Sequence, residues 1–183
     1  MSQFAYDTTY TESRNRGTVA IRIILAIPHM IVSYAWTIFA EVLSVVQWFI
    51  ILFTGKRNDS IWNLQRQWLE YTSRVYGYMG LLYDEYPAFG TAPGPVPVTT
   101  SITMDDPANR LTCALRIIWA IPALIISALI GIAVYVVAII SWFAIVITGK
   151  HPRGMWDFTL KGLKYAMQTN AYAFLLTDEY PKY

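Results

Sequence analysis

The chain has 183 residues, is 55% hydrophobic and only 14% charged, and carries a net charge of +2; its mean hydropathy is +0.37. So high an apolar share with so few charges exceeds what an ordinary soluble domain buries. The small net charge, with no basic run among stacking aromatics, excludes a nucleic-acid surface.

A polar N-terminal segment (1–18) ends with Arg14 and Arg16. An apolar run follows from Val19 to Phe53, in which the only ionisable side chains are Arg22, His29 and Glu41. Basic residues ahead of an apolar stretch resemble a signal peptide, but this run is far longer than a signal core of roughly 7–15 residues and no small-x-small cleavage site ends it. It is therefore expected to be retained in the membrane. At 1.5 Å per residue a straight helix over it would measure roughly 52 Å, against a hydrocarbon core near 30 Å. One long bent helix and a tight hairpin with short legs both fit that length. Arg14, Arg16 and Arg22 precede the run and Lys56 and Arg57 follow it, so a hairpin would keep all the basic residues on one face, as the positive-inside bias prefers. The expectation is a hairpin over 19–53, turning between Thr37 and Ser44.

Thr54-Gly55-Lys56 closes the run. A phosphate loop would need the full Gly-x-x-x-x-Gly-Lys-Ser/Thr pattern after a strand, and neither is present. Gly55 reads as a helix C-cap, with Lys56 at the negative end of the helix and near lipid phosphates. From Ile61 to Leu82, Trp62, Leu69, Thr72, Val75, Tyr76, Met79 and Leu82 recur at helical spacing, with Asn63, Arg66, Gln67, Glu70, Ser73, Arg74 and Gly77 opposite. A helix over 60–83 is expected, lying in the headgroup interface or packed on its own hairpin. Asp84-Glu85-Tyr86-Pro87 follows it, and Pro87 is read as the helix stop.

Shifting the chain by about 94 positions superposes its second half on its first, the signature of an internal repeat. Asn15-Arg16 falls on Asn109-Arg110, Arg22 on Arg116, Ala26-Ile27-Pro28 on Ala120-Ile121-Pro122, Trp48-Phe49 on Trp142-Phe143, Thr54-Gly55-Lys56 on Thr148-Gly149-Lys150, and Trp62 on Trp156. The acidic stop recurs as Asp178-Glu179-Tyr180-Pro181. Shared Ile and Leu could coincide by chance; shared Arg, Pro, Trp and Asp-Glu-Tyr-Pro could not. The first repeat covers 19–87. The second covers 110–181, with a hairpin over 113–147, turning between Gly131 and Val137, and an interfacial helix over 154–176. Between them, 88–109 is a Pro- and Gly-rich linker containing Pro93, Pro95 and Pro97, and alternating Val96, Val98, Thr100, Ile102 and Met104 suggest a short strand in its second part. The fold class is an all-α membrane protein of two tandem repeats.

Few residues are candidates for chemistry. Glu41 is an acid within an apolar run, a candidate intramembrane polar site, although near a hairpin turn it would simply reach water. Arg22, Arg116, Lys56, Lys150, Trp62 and Trp156 are candidates for lipid-phosphate or interface contacts, with an internal salt bridge the lesser reading for the arginines. Asp84, Glu85, Asp178 and Glu179 are candidates for partner docking; adjacent acids without His or Cys nearby make a weak metal set. His29 and His151 have no histidine at the equivalent repeat positions, which argues against a shared haem or metal site. The single Cys113 can form no internal disulfide and reads as a packed or lipid-facing small residue. No nucleophile-and-base arrangement can be assembled, so no enzyme activity, cofactor or metal is expected.

Ala-Ile-Pro-His at 26–29, Trp-Phe-x-x-x-x-Thr-Gly-Lys at 48–56 and 142–150, Pro-Arg-Gly at 152–154 and Leu-Leu-Thr-Asp-Glu-Tyr-Pro at 175–181 together resemble the bacterial integral-membrane family known as domain of unknown function 4389, in a two-copy chain. The first copy departs from that pattern at Asn58, Asp59 and Ser60. The resemblance implies a bacterial inner-membrane location and supplies no activity. The expected role is a non-catalytic accessory or scaffold subunit of a larger membrane complex, or a self-associating protein, in contact with the lipid bilayer. A membrane-shaping hairpin protein is the alternative, and a small transporter or channel component a second.

Overall fold

The computed structural model describes residues 4–92 and 94–183; Pro93 of the linker lies outside the described residues. Its elements are strand β1 (Phe4–Asp7), helices α1 (Arg16–Ala20), α2 (Arg22–Thr54) and α3 (Asp59–Met79), strand β2 (Thr99–Ile102), and helices α4 (Arg110–Ala114), α5 (Arg116–Thr148) and α6 (Arg153–Ala173). Each repeat is thus a one-turn helix, a 33-residue helix and a 21-residue helix in the same order.

The expected hairpins are corrected by this structure: 19–53 and 113–147 each contain one continuous long helix. The residues proposed for the turns do not break it, because Thr37 and Ser44 direct their hydroxyls back to the carbonyls of Ser33 and Ala40 (2.8 and 2.9 Å) and leave the helical ladder intact. Pro28 and Pro122 also lie inside the helices. A proline removes a donor and crowds the preceding turn, and beside Pro28 the Tyr86 hydroxyl donates to the carbonyl of Leu25 (3.2 Å). Gly55 (φ 73°) and Gly149 (φ 75°) adopt the left-handed conformation that ends each long helix, as expected of C-cap glycines.

α3 folds back antiparallel along α2. Gln65 donates to Ser44 (2.7 Å), the Trp68 indole to Thr37 (3.0 Å), and the Tyr71 hydroxyl bonds His29 Nδ1 (2.8 Å). α6 packs on α5 in the same way, α3 and α6 touch, and a two-stranded antiparallel sheet covers both on the far side, β1 on α6 and β2 on α3. The linker strand read from the alternation is therefore present, but its partner is the N-terminal segment, with Phe4 opposite Ile102.

The short helices cross over. α1 packs on α5 and α4 on α2, so the start of each long helix lies beside the end of the other. The Trp142 indole donates to Val19 O and the Trp48 indole to Cys113 O, both at 2.9 Å. The result is that α2 and α5 run antiparallel, α3 and α6 pack against them and against each other, and the sheet covers part of α3 and α6. The linker reaches back to α2, with Phe89 stacked on His29 and Ala108 packed by Ile51. The helices expected over 60–83 and 154–176 are α3 and α6, each packed on the long helix of its own repeat, the second of the two placements expected for them, with the sheet covering part of their other side. Ser73 and Arg74, on the polar face of α3, are themselves buried: Ser73 Oγ bonds Thr100 Oγ1 (2.6 Å), and Arg74 donates to Gly90 O (2.7 Å).

Candidate functional site

The charged residues shared by the two repeats converge on two equivalent junctions. At the first, Arg22 is 2% exposed and donates to Asp84 Oδ1 (2.7 Å) and to the carbonyls of Tyr78 and Tyr83 (3.1 and 2.8 Å), while Asp84 Oδ2 accepts from the Asn15 backbone (2.8 Å). At the second, Arg116, equally buried, bonds Asp178 and the carbonyl of Thr177 (2.9 Å), and Asp178 Oδ2 accepts from the Asn109 backbone (2.8 Å). Each guanidinium lies over a tyrosine ring, Arg22 on Tyr78 at 4.4 Å and Arg116 on Tyr172 at 4.1 Å. Burial raises the hydroxyl pKa of both tyrosines, and the neighbouring arginine pulls the other way.

This corrects several expectations. Arg22 and Arg116 do not reach lipid phosphates, because a carboxylate and backbone carbonyls use their donors inside the protein. Asp84 and Asp178 are not docking groups but the counter-charges of those arginines. Trp62 and Trp156 are 6% and 3% exposed, and their indoles donate to Leu176 O and Leu82 O of the opposite repeat, both at 3.0 Å; they tie the repeats together rather than facing lipid. Lys56 and Lys150 are exposed, Lys150 3.1 Å from Glu12. Glu85 is exposed and Glu179 half-buried, beside Lys182 at 3.2 Å.

The acceptors for these indoles exist because α3 and α6 end in an unusual way. Leu81 and Leu175 have positive φ (62° and 64°), and the next residues close back on the helix, Leu82 N to Gly77 O (3.0 Å) and Leu176 N to Ala171 O (2.9 Å). That conformation normally belongs to glycine. Leucine holds it here because its side chain is needed: Leu81 packs with Val19 and Ile145, and Leu175 with Cys113 and Ile51. The helices therefore stop several residues before Pro87 and Pro181, which are not the stop signals. Cys113 is buried in this packing.

Two further arginines belong to the junctions and were not singled out from the sequence. Arg57 donates to Leu175 O (2.8 Å) and pairs with Asp178 (2.9 Å), and Arg14 donates to Leu82 O (2.6 Å). Burial lowers the Arg14 pKa, partly offset by Asp84. The signal was in the repeat alignment, where Arg57 faces His151 and Arg14 faces Ala108. One junction takes its extra arginine from the loop after the long helix, the other from the chain ahead of the repeat.

His151, in the place of Arg57, is fully buried with Nε2 3.2 Å from Ser141 Oγ. Burial, reinforced by the nearby Arg14, pushes its pKa down from 6.5 to about 4. The folded protein then refuses a proton that the unfolded chain accepts. Stability is full above pH 6.5 and falls as the pH drops from 6.5 towards 4, by up to about 3 kcal/mol at 1.4 kcal/mol per unit. His151→Gln should flatten this part of the stability–pH curve; thermal unfolding between pH 4.5 and 7.5 checks it, and an unchanged slope would refute the assignment.

Glu41 lies in the interior of α2, exposed, with no ion pair or hydrogen bond among the described residues. With no hairpin turn nearby, the reading that it sits at a turn in water fails. It is two helical turns from Trp48 and so shares the face that turns toward the other repeat.

The remainder of α2 has inverted polarity. Its inward stripe is Ala26, His29, Ser33, Ala40, Gln47 and Ile51, while Ile24, Ile31, Ile38, Val45 and Phe53 are 48% to 78% exposed. α5 turns Ala120, Ala123, Val134, Ser141 and Ile145 inward, with Ser141 the one uncharged polar residue among them, and Ile117, Leu129 and Ile147 outward. Both helices are long and apolar enough to cross a membrane. The fold therefore defines a mostly helical class built of two interlocked tandem repeats with two such helices. A family model described as Domain of unknown function (DUF4389) matches residues 16–90 and 110–183, most of both repeats, and the chain belongs to that family. No curated protein and no solved structure matches it.

Proposed function

We propose that the protein is a non-catalytic, membrane-embedded scaffold or accessory subunit of a larger membrane complex. The observation that carries this reading is the inverted polarity of α2, together with the exposed apolar face of α5. In water, helices bury their apolar stripe and expose polar residues; here His29, Ser33 and Gln47 face inward and the branched apolar residues face out, the arrangement suited to a lipid surround. An exposed apolar surface of this extent marks a membrane or protein contact. The conspicuous charged residues also serve the fold, since Arg22, Arg57 and Arg116 are held by Asp84 and Asp178. The resemblance to bacterial membrane chains extends the proposal to the bacterial inner membrane, with the polar layers on the cytoplasmic side. Purification of the tagged chain in mild detergent tests the scaffold role: a stoichiometric membrane-protein companion is expected, and a strictly monomeric, partner-free protein would refute it.

A second reading, that the protein shapes or organises the bilayer, is favoured by α2 and α5 presenting their apolar surfaces on one side of the molecule. Reconstitution at high density should then tubulate or shrink large vesicles, and vesicles of unchanged size would count against it.

A further inference from the structure

The long helices are long and apolar enough to stand upright across a bilayer, but four features of the molecule oppose that orientation. The exposed apolar surface of α2 runs from Ile21 to Phe53, roughly 48 Å at 1.5 Å per residue, against a hydrocarbon core near 30 Å. Upright, each helix would leave more than a third of that surface outside. α3 and α6 run along the same axis, and α6 exposes Lys161 and Lys164 near its centre while Arg66 and Glu70 are half-exposed on α3. Upright, these charges would be carried into the hydrocarbon, where ionisable groups are costly.

The third feature is the charge at the two ends. Because the long helices are antiparallel, Arg16 meets the end of α5, where a side chain at Gly149 would collide with its guanidinium, and Lys150 follows directly. At the other end Arg110 covers Gly55 in the same way, beside Lys56. An upright molecule would place one basic pair on each face of the membrane, contrary to the positive-inside bias. Finally, the two strands pack on α6 and α3, the layer on the other side of the molecule from the exposed apolar faces.

Resting on the membrane reading above, we infer that the protein inserts into a single leaflet, with α2 and α5 lying parallel to the membrane plane. The two long helices sink about one helix diameter, roughly 10 Å, into the acyl chains. The α3/α6 layer sits at the headgroups and the sheet in water. Both basic pairs then meet phosphates of the same leaflet, most strongly at the Arg110–Lys56 end, since Glu12 offsets Lys150 at the other. Glu41, on the flank turned toward the other repeat, avoids the deepest position. The partner is an anionic lipid surface, which covers a face that no soluble helix pair would leave open.

Ile24, Ile31, Ile38 and Val45 test this directly, because seven-residue steps put all four on one face of α2 and all are exposed. Each is replaced by cysteine in a Cys113→Val background, valine being the residue at the equivalent place in the first repeat, and spin-labelled. Label depth is then measured in vesicles of phosphatidylcholine and phosphatidylglycerol. Equal depths within about 5 Å are expected for a flat helix, whereas an upright one would spread them over roughly 30 Å. A spread above about 10 Å overturns the single-leaflet orientation while leaving membrane residence intact. Water-exposed labels at all four sites, or contact between labels of two copies in solution, overturn the membrane reading itself. Vesicles lacking the anionic lipid should bind the protein several-fold less; unchanged binding would remove the role of the basic pairs.

Discussion

Replacing Asp178 with alanine is expected to destabilise the fold by about 3–5 kcal/mol, because it leaves the buried Arg116 guanidinium without a counter-charge and the buried Arg57 guanidinium with only Asp106, at 3.5 Å. Arg57 and Arg116 both pair with this carboxylate, and their side chains are 0% and 3% exposed. The equivalent Asp84→Ala should cost less, about 1–3 kcal/mol, because Asp84 pairs with Arg22 alone and is more exposed, 26% against 15%. Thermal unfolding in mild detergent should register the difference as several degrees in Tm. Equal losses at the two positions would mean that Arg57 contributes nothing to the second junction. The comparison is informative because the two sites share the same Asp-Glu-Tyr-Pro sequence, so only the tertiary environment distinguishes them.

The second large effect lies where α3 and α6 meet. Trp68 is 1% exposed, stacks on Phe174 with ring centroids 4.2 Å apart, and donates to Thr37. At the equivalent repeat positions stand glycines, Gly162 for Trp68 and Gly80 for Phe174. Two large rings thus fill one place, while at the equivalent places Gly162 is met by Val134 and Ile130 of α5 and Gly80 by Thr159 and Leu163 of α6. Trp68→Ala should cost about 3–5 kcal/mol through the cavity it opens. Gly162→Ala should also destabilise, by about 1–3 kcal/mol, because a Cβ there would lie 2.4 Å from Val134 Cγ2. The helix-propensity rule alone gives the opposite sign, since alanine is favoured over glycine by about 1 kcal/mol. Gly154→Ala in the same helix meets nothing within 4 Å and should follow that rule. Melting the three variants side by side tests the packing argument, and a stabilised Gly162→Ala protein would refute it.

Much of the fold was legible in the sequence. The duplication, the apolar runs, the amphipathic helices after them, the C-cap glycines and the linker strand are all local patterns, set by side-chain periodicity and turn chemistry. The repeat of Arg22 with Arg116, and of Asp84 with Asp178, was equally plain, but its meaning was not. A positive charge near the start of an apolar run fits lipid phosphate as well as it fits a carboxylate some sixty residues away, and the sequence does not state which is nearer. The same ambiguity produced the hairpins. Charge on both flanks of an apolar run suggests that its ends share a membrane face, and the inference assumed that only a turn could bring them there.

What the sequence by itself determined is therefore the module: its duplication, its helical character and the identity of the residues that both copies share. The tertiary structure decided how those residues are used. Antiparallel crossing of the repeats put each short helix against the other repeat's long one, turned Trp62 and Trp156 inward onto opposite carbonyls, and consumed the shared arginines and aspartates in buried junctions. It also left the apolar surfaces of α2 and α5 open on one side. The physical reason is that burial and pairing depend on contacts between residues far apart in the chain, whereas helix formation depends on neighbours within a few turns.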